Sequence, residues 1–167
     1  MQSKSNLYAV VQQVTTNTTS WIGSQAGDSK DIRRGQTFMS PSEGELDSIE
    51  VFSSIVIRSG KVNINLHEFD PVTKNWGRKL SETAVEFNKT DSNKWMSFSL
   101  PGIHLNKGQW YGFLLQSPSS LIGVGEAAGT PGQPPNGEGQ EWKFSSDDNK
   151  GQAFTYFSLA FKVELRA

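Results

Sequence analysis

The feature that most constrains this chain is an apolar period of two. Across residues 61–69, Val62, Ile64 and Leu66 share one side, while Asn63, Asn65 and His67 take the other. Residues 95–100 repeat the pattern with Met96, Phe98 and Leu100. Near the C-terminus, Phe157, Leu159, Phe161, Val163 and Leu165 alternate with Ser158, Ala160, Lys162 and Glu164. Successive side chains of a strand point to opposite faces, so each run is a strand with one oily and one polar side. One wet face marks antiparallel sheet, because parallel strands are covered on both faces.

Further strands are expected at 36–39, 45–57, 84–87, 109–116, 121–124 and 140–145. Turn chemistry separates them, as in Pro41-Ser42-Glu43-Gly44, Asp70-Pro71 and Asn106-Lys107-Gly108. No window sustains a capped 3.6-residue period, and only Ser81 to Phe87 could pass for a short helix. The expectation is an all-β chain: one domain over 1–167, a two-layer antiparallel β-sandwich of jelly-roll type. Residues 1–30 read as an opening strand at Val10, Val11 and Val14, then a polar connection (Thr15 to Ser20) holding Trp21. Residues 129–139 form a Gly/Pro-rich loop.

Charge and cysteine content exclude several function classes. Lys and Arg total 16 against 17 Asp and Glu, so no basic stripe is available for nucleic acid or an anionic membrane. No apolar run approaches the ~18 residues that would span a bilayer. The first residues carry no signal peptide. Cysteine is absent, which removes disulfides, thiolate nucleophiles and Cys-based zinc sites.

Catalytic patterns fare no better. There is no Gly-x-Ser-x-Gly elbow, and the two histidines, His67 and His104, read as backbone-bonded side chains. Glu126, Glu138 and Glu141 surround the Gly/Pro-rich loop without alternating on one strand, so they read as solvated surface acids. A glycoside-cleaving sandwich would need two acids across one cleft. In the run from Gly123 to Gly129 the third glycine falls one residue late for a dinucleotide loop, and no helix follows. Asp147-Asp148-Asn149-Lys150-Gly151 resembles the start of a calcium loop, but Ser158 stands where a bidentate Glu would close it. It reads as a turn that admits a structural calcium, and no other cofactor is expected.

The aromatic residues carry the functional hint. Phe38, Phe52, Phe87, Phe98, Phe113, Phe157 and Phe161 are placed in the core. Trp76 lies in a hairpin-like loop expected to project into solvent, Trp95 opposes Met96 and Phe98, and Trp142 sits between Glu141 and Lys143. A flat indole with nearby amides matches the C–H face and hydroxyl rim of a sugar. Trp76, Trp95 and Trp142, with Asn63, Asn65 and His67, are therefore the candidate carbohydrate-binding residues; the sequence leaves open whether the strand of Trp95 adjoins the one that carries the asparagines.

The run from Gly35-Gln36-Thr37-Phe38 to Leu46-Asp47-Ser48-Ile49 resembles the opening of jelly-roll modules in bacterial surface and extracellular proteins. So does 95–100 followed by Gly108-Gln109-Trp110-Tyr111. The resemblance extends over residues 35–165 and marks strand starts and turns rather than ligand residues. It implies a galactose-binding-like sandwich: a non-catalytic, glycan-binding module of an exported or cell-surface protein. A structural or protein-interaction (adhesion) module is the alternative. A monomer or weak oligomer is expected.

Overall fold

The computed structural model describes residues 7–24, 30–130, 133–135 and 139–166, apart from the side chain of residue 149. Fourteen strands run through them: β1 (Leu7–Gln13), β2 (Thr18–Gly23), β3 (Ile32–Met39), β4 (Gly44–Arg58), β5 (Gly60–Asp70), β6 (Asn75–Phe87) and β7 (Lys94–Ser99). They continue as β8 (His104–Leu105), β9 (Trp110–Gln116), β10 (Leu121–Ala128), β11 (Glu141–Ser145), β12 (Asp148–Phe154), β13 (Phe157–Leu159) and β14 (Phe161–Arg166). All pair antiparallel in one sheet, ordered β1-β14-β4-β10-β2-β3-β9-β5-β6. The sheet curls on itself, so the half around β4 faces the half around β9.

The hinge of the curl is a single pair, Gly23 with Ile32. Gly23 has φ +103°, and a Cβ there would lie 1.9 Å from the Ser120 carbonyl oxygen, so only glycine turns this corner. Beyond it, β11 extends the second layer along β3, and β12 extends it along β11. In the first layer, β7 and β8 pair with β4, and β13 pairs with β10.

The expected inward faces form the core. Val62, Ile64 and Leu66 are fully buried, as are Phe161, Val163 and Leu165. Rings meet across the layers: Phe113 and Phe38 stand 5.6 and 6.2 Å from Phe161, and Phe87 stands 6.0 Å from Phe98. Burying each such side chain is worth about 1.5–3 kcal/mol.

Several local expectations require correction. The polar stretch ahead of Trp21 is strand β2, because Thr18, Ser20 and Ile22 alternate inward opposite Glu126, Val124 and Ile122. The strand expected at 84–87 is the end of a longer edge strand, β6, which begins at Asn75. The C-terminal run is two strands. At Ala160 the chain leaves β10 and joins β4, with Ala160 N–H donating to the Gly125 carbonyl. The calcium-like stretch is mostly strand β12. Asp147 Oδ1 accepts from Ser145 Oγ at 2.8 Å, and Asp148 Oδ1 from the Gly151 N–H at 3.3 Å, so both acids cap this hairpin. Of the Gly/Pro-rich loop, Thr130 and Gln133 form a bridge, while Glu138 lies outside the described residues. Phe52 points away from the core, and Phe157 is only half-buried.

Candidate functional site

The outer face of the second layer is not the plain wet surface that its polar period suggests. On β5 the outward positions are Asn63, Asn65, His67 and Phe69, since Val62, Ile64 and Leu66 point inward. On β9 they are Trp110, Gly112 and Leu114, and the register places Gly112 opposite both His67 and Thr37. On β11 they are Trp142 and Phe144, with Trp142 opposite Gly35 of β3.

Trp76, at the start of β6, folds back across this face. Its indole fills the space above Gly112 and Gly35: a Cβ would come within 2.5 Å of the ring at the first and 3.0 Å at the second. The rings then interlock. Trp76 meets Trp142 edge-on at 5.9 Å, Phe69 meets Trp142 at 5.9 Å, and Trp142 stacks on Phe144 at 6.0 Å. Phe69, Trp142 and Phe144 are buried, with Trp76, Trp110 and Leu114 packed around them. These residues are a second, smaller core on the outside of the sandwich. The indole N–H groups of Trp76 and Trp142 are buried inside it without a hydrogen-bond partner.

Two clefts open beside this cluster and share Phe69. One, of about 220 Å³, is lined by Thr37, Phe69, Pro71, Lys74, Trp110 and Gln140. The other, of about 330 Å³, is lined by Glu68, Phe69, Asp70, Thr73, Asn75, Gly77 and Gln109. Both volumes sit at the small end of ligand sites, suiting one or two rings rather than a large cofactor.

The β5–β6 turn stands between the clefts and is built locally. Asp70 Oδ1 accepts from the Val72 N–H at 2.9 Å and the Thr73 N–H at 3.4 Å, and these donors hold its carboxyl below the usual range. Lys74 then takes φ +58°, a left-handed conformation costing a non-glycine residue about 1 kcal/mol. Its ammonium donates to Gln140 Oε1 at 3.4 Å across the smaller cleft. Gln140 is itself fixed, its N–H donating to Thr37 Oγ1 at 2.9 Å. In the larger cleft, Glu68 is paired to Arg78 at 3.1 Å. A glycoside-cleaving acid would need its proton held, whereas the Asp70 carboxyl in the larger cleft is held the other way.

The six expected residues fall in three places, and none of them lines a cleft. Trp76 and Trp142 form the wall behind Phe69. Trp142 is only 5% exposed, because its strand turns it onto Gly35 instead of into solvent. His67 meets Trp76 edge-on at 5.8 Å and its Nδ1 lies 3.0 Å from the Gly77 carbonyl; Asn63 and Asn65 follow on the same face of β5, half-exposed. Trp95 is on the other layer. Its strand β7 pairs with β4, and the indole packs against Phe52 at 5.4 Å beneath Lys162 Nζ at 4.3 Å. Trp95 and the asparagines therefore share no surface.

Phe69, Trp110, Lys74 and Gln140 were not among the expected residues. A signal existed for two of them. Phe69 is in phase with His67 rather than with Leu66, and Trp110 is out of phase with Tyr111, Phe113 and Leu115, so both had to face outward.

The acids near the Gly/Pro-rich loop are also corrected. Glu126 is 6% exposed and Glu141 fully buried, so they are interior groups rather than surface acids. Glu126 accepts from Thr18 Oγ1; Glu141 Oε2 accepts from Ser20 Oγ at 3.1 Å and lies 3.7 Å from Arg34 Nη1. Burial, then the hydrogen bond and charge of Glu126, push the Glu141 carboxyl up to about 9, against the pull of Arg34 and Ser20. Its proton is thus retained at neutral pH. This pair lies between the layers and lines neither cleft.

No family model matches the chain, and no curated protein matches it. Among solved structures, the fold is similar to the clostridial cysteine protease Cwp84 after propeptide cleavage. The TM-score is 0.57 at 11% identity, over 100% of this chain and 41% of that one. It is also similar to the cysteine protease and lectin-like domains of Cwp84, a surface layer associated protein of Clostridium difficile. There the TM-score is 0.50 at 12% identity, over 89% of this chain and 36% of that one. A mannanase from Podospora anserina carrying a CBM35 module overlaps at a TM-score of only 0.35 and 15% identity, over 75% of this chain and 28% of that one. The chain thus spans about two-fifths of the Cwp84 structures, and what it shares with them is the all-β fold. It has no cysteine, so it lacks a cysteine protease's nucleophile. Among the described residues, no three metal-ligating side chains of the His, Cys, Asp or Glu type come together, and no helix is long and apolar enough to cross a membrane.

Proposed function

We propose that this chain is a non-catalytic glycan-binding module, one domain over its whole length, of an exported or cell-surface protein. The observation that carries the reading is the pair of clefts around Phe69. Trp110 and Phe69 offer apolar ring surface there, and Thr37, Gln140, Asn75, Gln109 and Lys74 supply a polar rim. That combination suits a sugar's C–H face and hydroxyl edge. The aromatic cluster behind it adds rigidity, so little ordering cost remains at binding. Similarity to a structure whose lectin-like domain accompanies a cysteine protease in a surface layer associated protein supports the same placement: an all-β chain without cysteine corresponds in kind to the former. Trp76, Trp142 and His67 act in this reading as supports of the cleft wall.

Affinity electrophoresis through gels cast with individual plant, host and microbial polysaccharides tests it. At least one polymer should retard the wild type, and Trp110→Ala should abolish that retardation while leaving the far-UV CD spectrum unchanged. No retardation by any polymer, or full retardation of Trp110→Ala, would refute the assignment.

A protein-interaction module is the second reading, and one observation favours it. Trp21, Ile55 and Ile57 are 37%, 40% and 47% exposed on the outer face of the first layer, beside Phe52 and Trp95. A concentration-dependent multimer by light scattering, dispersed by Ile55→Ser, would favour that reading over the first.

A further inference from the structure

Resting on the glycan reading, we infer that the smaller cleft selects an acidic sugar, one whose ring carries a carboxylate or sulfate that meets the Lys74 ammonium. Three observations converge. Among the described residues Lys74 is the one basic or acidic side chain lining this cleft, alongside Thr37, Phe69, Pro71, Trp110 and Gln140. Among the described residues it forms no ion pair: the bond it makes, to Gln140 Oε1 at 3.4 Å, is to a neutral amide. The acids of the turn, Glu68 and Asp70, line the other cleft, where Glu68 is paired to Arg78 at 3.1 Å and Asp70 Oδ1 accepts from the Val72 and Thr73 N–H groups.

The backbone adds a separate argument. Position 74 has φ +58°, where glycine or asparagine sits without strain, yet it carries a lysine. Lysine contributes nothing to the turn that asparagine would not; what it contributes is a cation at the mouth of an aromatic cleft. A lysine serves as a point charge, donating to either a carboxylate or a sulfate oxygen. Trp110 and Phe69 would hold the ring while Lys74 reads its charged substituent. The larger cleft, lined by the Asp70 carboxylate, would repel that substituent and so fix the ligand's direction.

The test is affinity electrophoresis of wild type, Lys74→Asn, Lys74→Arg and Trp110→Ala. The gels contain polygalacturonate, its fully methyl-esterified form, a sulfated galactan, or neutral galactan. The inference expects retardation by polygalacturonate or the sulfated galactan, which of the two identifying the anion. Esterification or Lys74→Asn should weaken it about tenfold, the worth of one charge-assisted hydrogen bond, and Lys74→Arg should restore it. Lys74→Asn should melt no lower than wild type, since it relieves the strained φ. Equal retardation by the neutral and acidic polymers, unaffected by Lys74→Asn but abolished in Trp110→Ala, would overturn the acidic selectivity and leave glycan binding intact. No retardation by any of the four polymers would overturn the selectivity, while retardation elsewhere in a wider panel would keep the glycan reading.

Discussion

Replacing the buried acid Glu141 by Gln should make the fold less sensitive to pH. The wild-type carboxyl titrates near its ordinary 4.5 when unfolded but is pushed up to about 9 in the fold. Between those values the folded chain holds a proton that the unfolded chain has released, so stability falls as pH rises through this window. By pH 7 the loss depends only on how far the unfolded group has titrated. That is about 2.5 pH units at 1.36 kcal/mol each, or about 3 kcal/mol relative to pH 4.5. Gln mimics the protonated acid, since its carbonyl oxygen can accept from Ser20 and it carries no charge to bury. Urea unfolding of both proteins at intervals from pH 4.5 to 8 would show it. The two should be nearly equal at pH 4.5, and Glu141→Gln should lead by about 3 kcal/mol at pH 7. Parallel curves across the range would refute the view that Glu141 is a protonated interior group.

Two further outcomes follow from packing and charge elsewhere. Gly112→Ala should destabilise the fold by about 1–3 kcal/mol by pressing on the Trp76 ring; a change in the near-UV CD tryptophan band would accompany it, and an unaltered band with unchanged melting would contradict the packing described. On the outer face of the first layer, a hydrogen bond that protonated Glu164 donates to Glu50, with burial and the Glu50 charge, pushes Glu164 up to about 7. Glu50→Gln should bring its NMR titration midpoint toward the ordinary carboxylate range, and an unmoved midpoint would show the two acids do not interact.

How much of this was legible in the sequence depends on what each residue had to satisfy. Val62, Ile64, Leu66 and Phe161, Val163, Leu165 announced their faces because a one-residue slip would expose all three at once. The same rule was readable for Glu126, in phase with Ile122 and Val124, and for Arg34, in phase with Gln36 and Phe38: these polar residues alternate inward and meet between the layers. What periodicity could not show is which outer face is covered. Trp76 and Trp142 come from segments 66 positions apart, and only the register that sets Gly35 beside Trp142 and Gly112 beside His67 brings their rings together. For the same reason Trp95 looked equivalent to the other two. Its strand is half-polar like theirs, but it pairs with β4 on the opposite layer. The cleft itself depends on Lys74 and Gln140, 66 residues apart, and no local pattern links them.

The most direct measurement follows the five indole N–H signals by NMR while a retarding glycan, as oligosaccharide, is titrated into the intact protein. The Trp110 signal should move in proportion to occupancy, with smaller shifts at Trp76 and Trp142 behind it and none at Trp21 or Trp95. Movement of Trp21 or Trp95 with Trp110 still would place the sugar on the other layer and contradict the account.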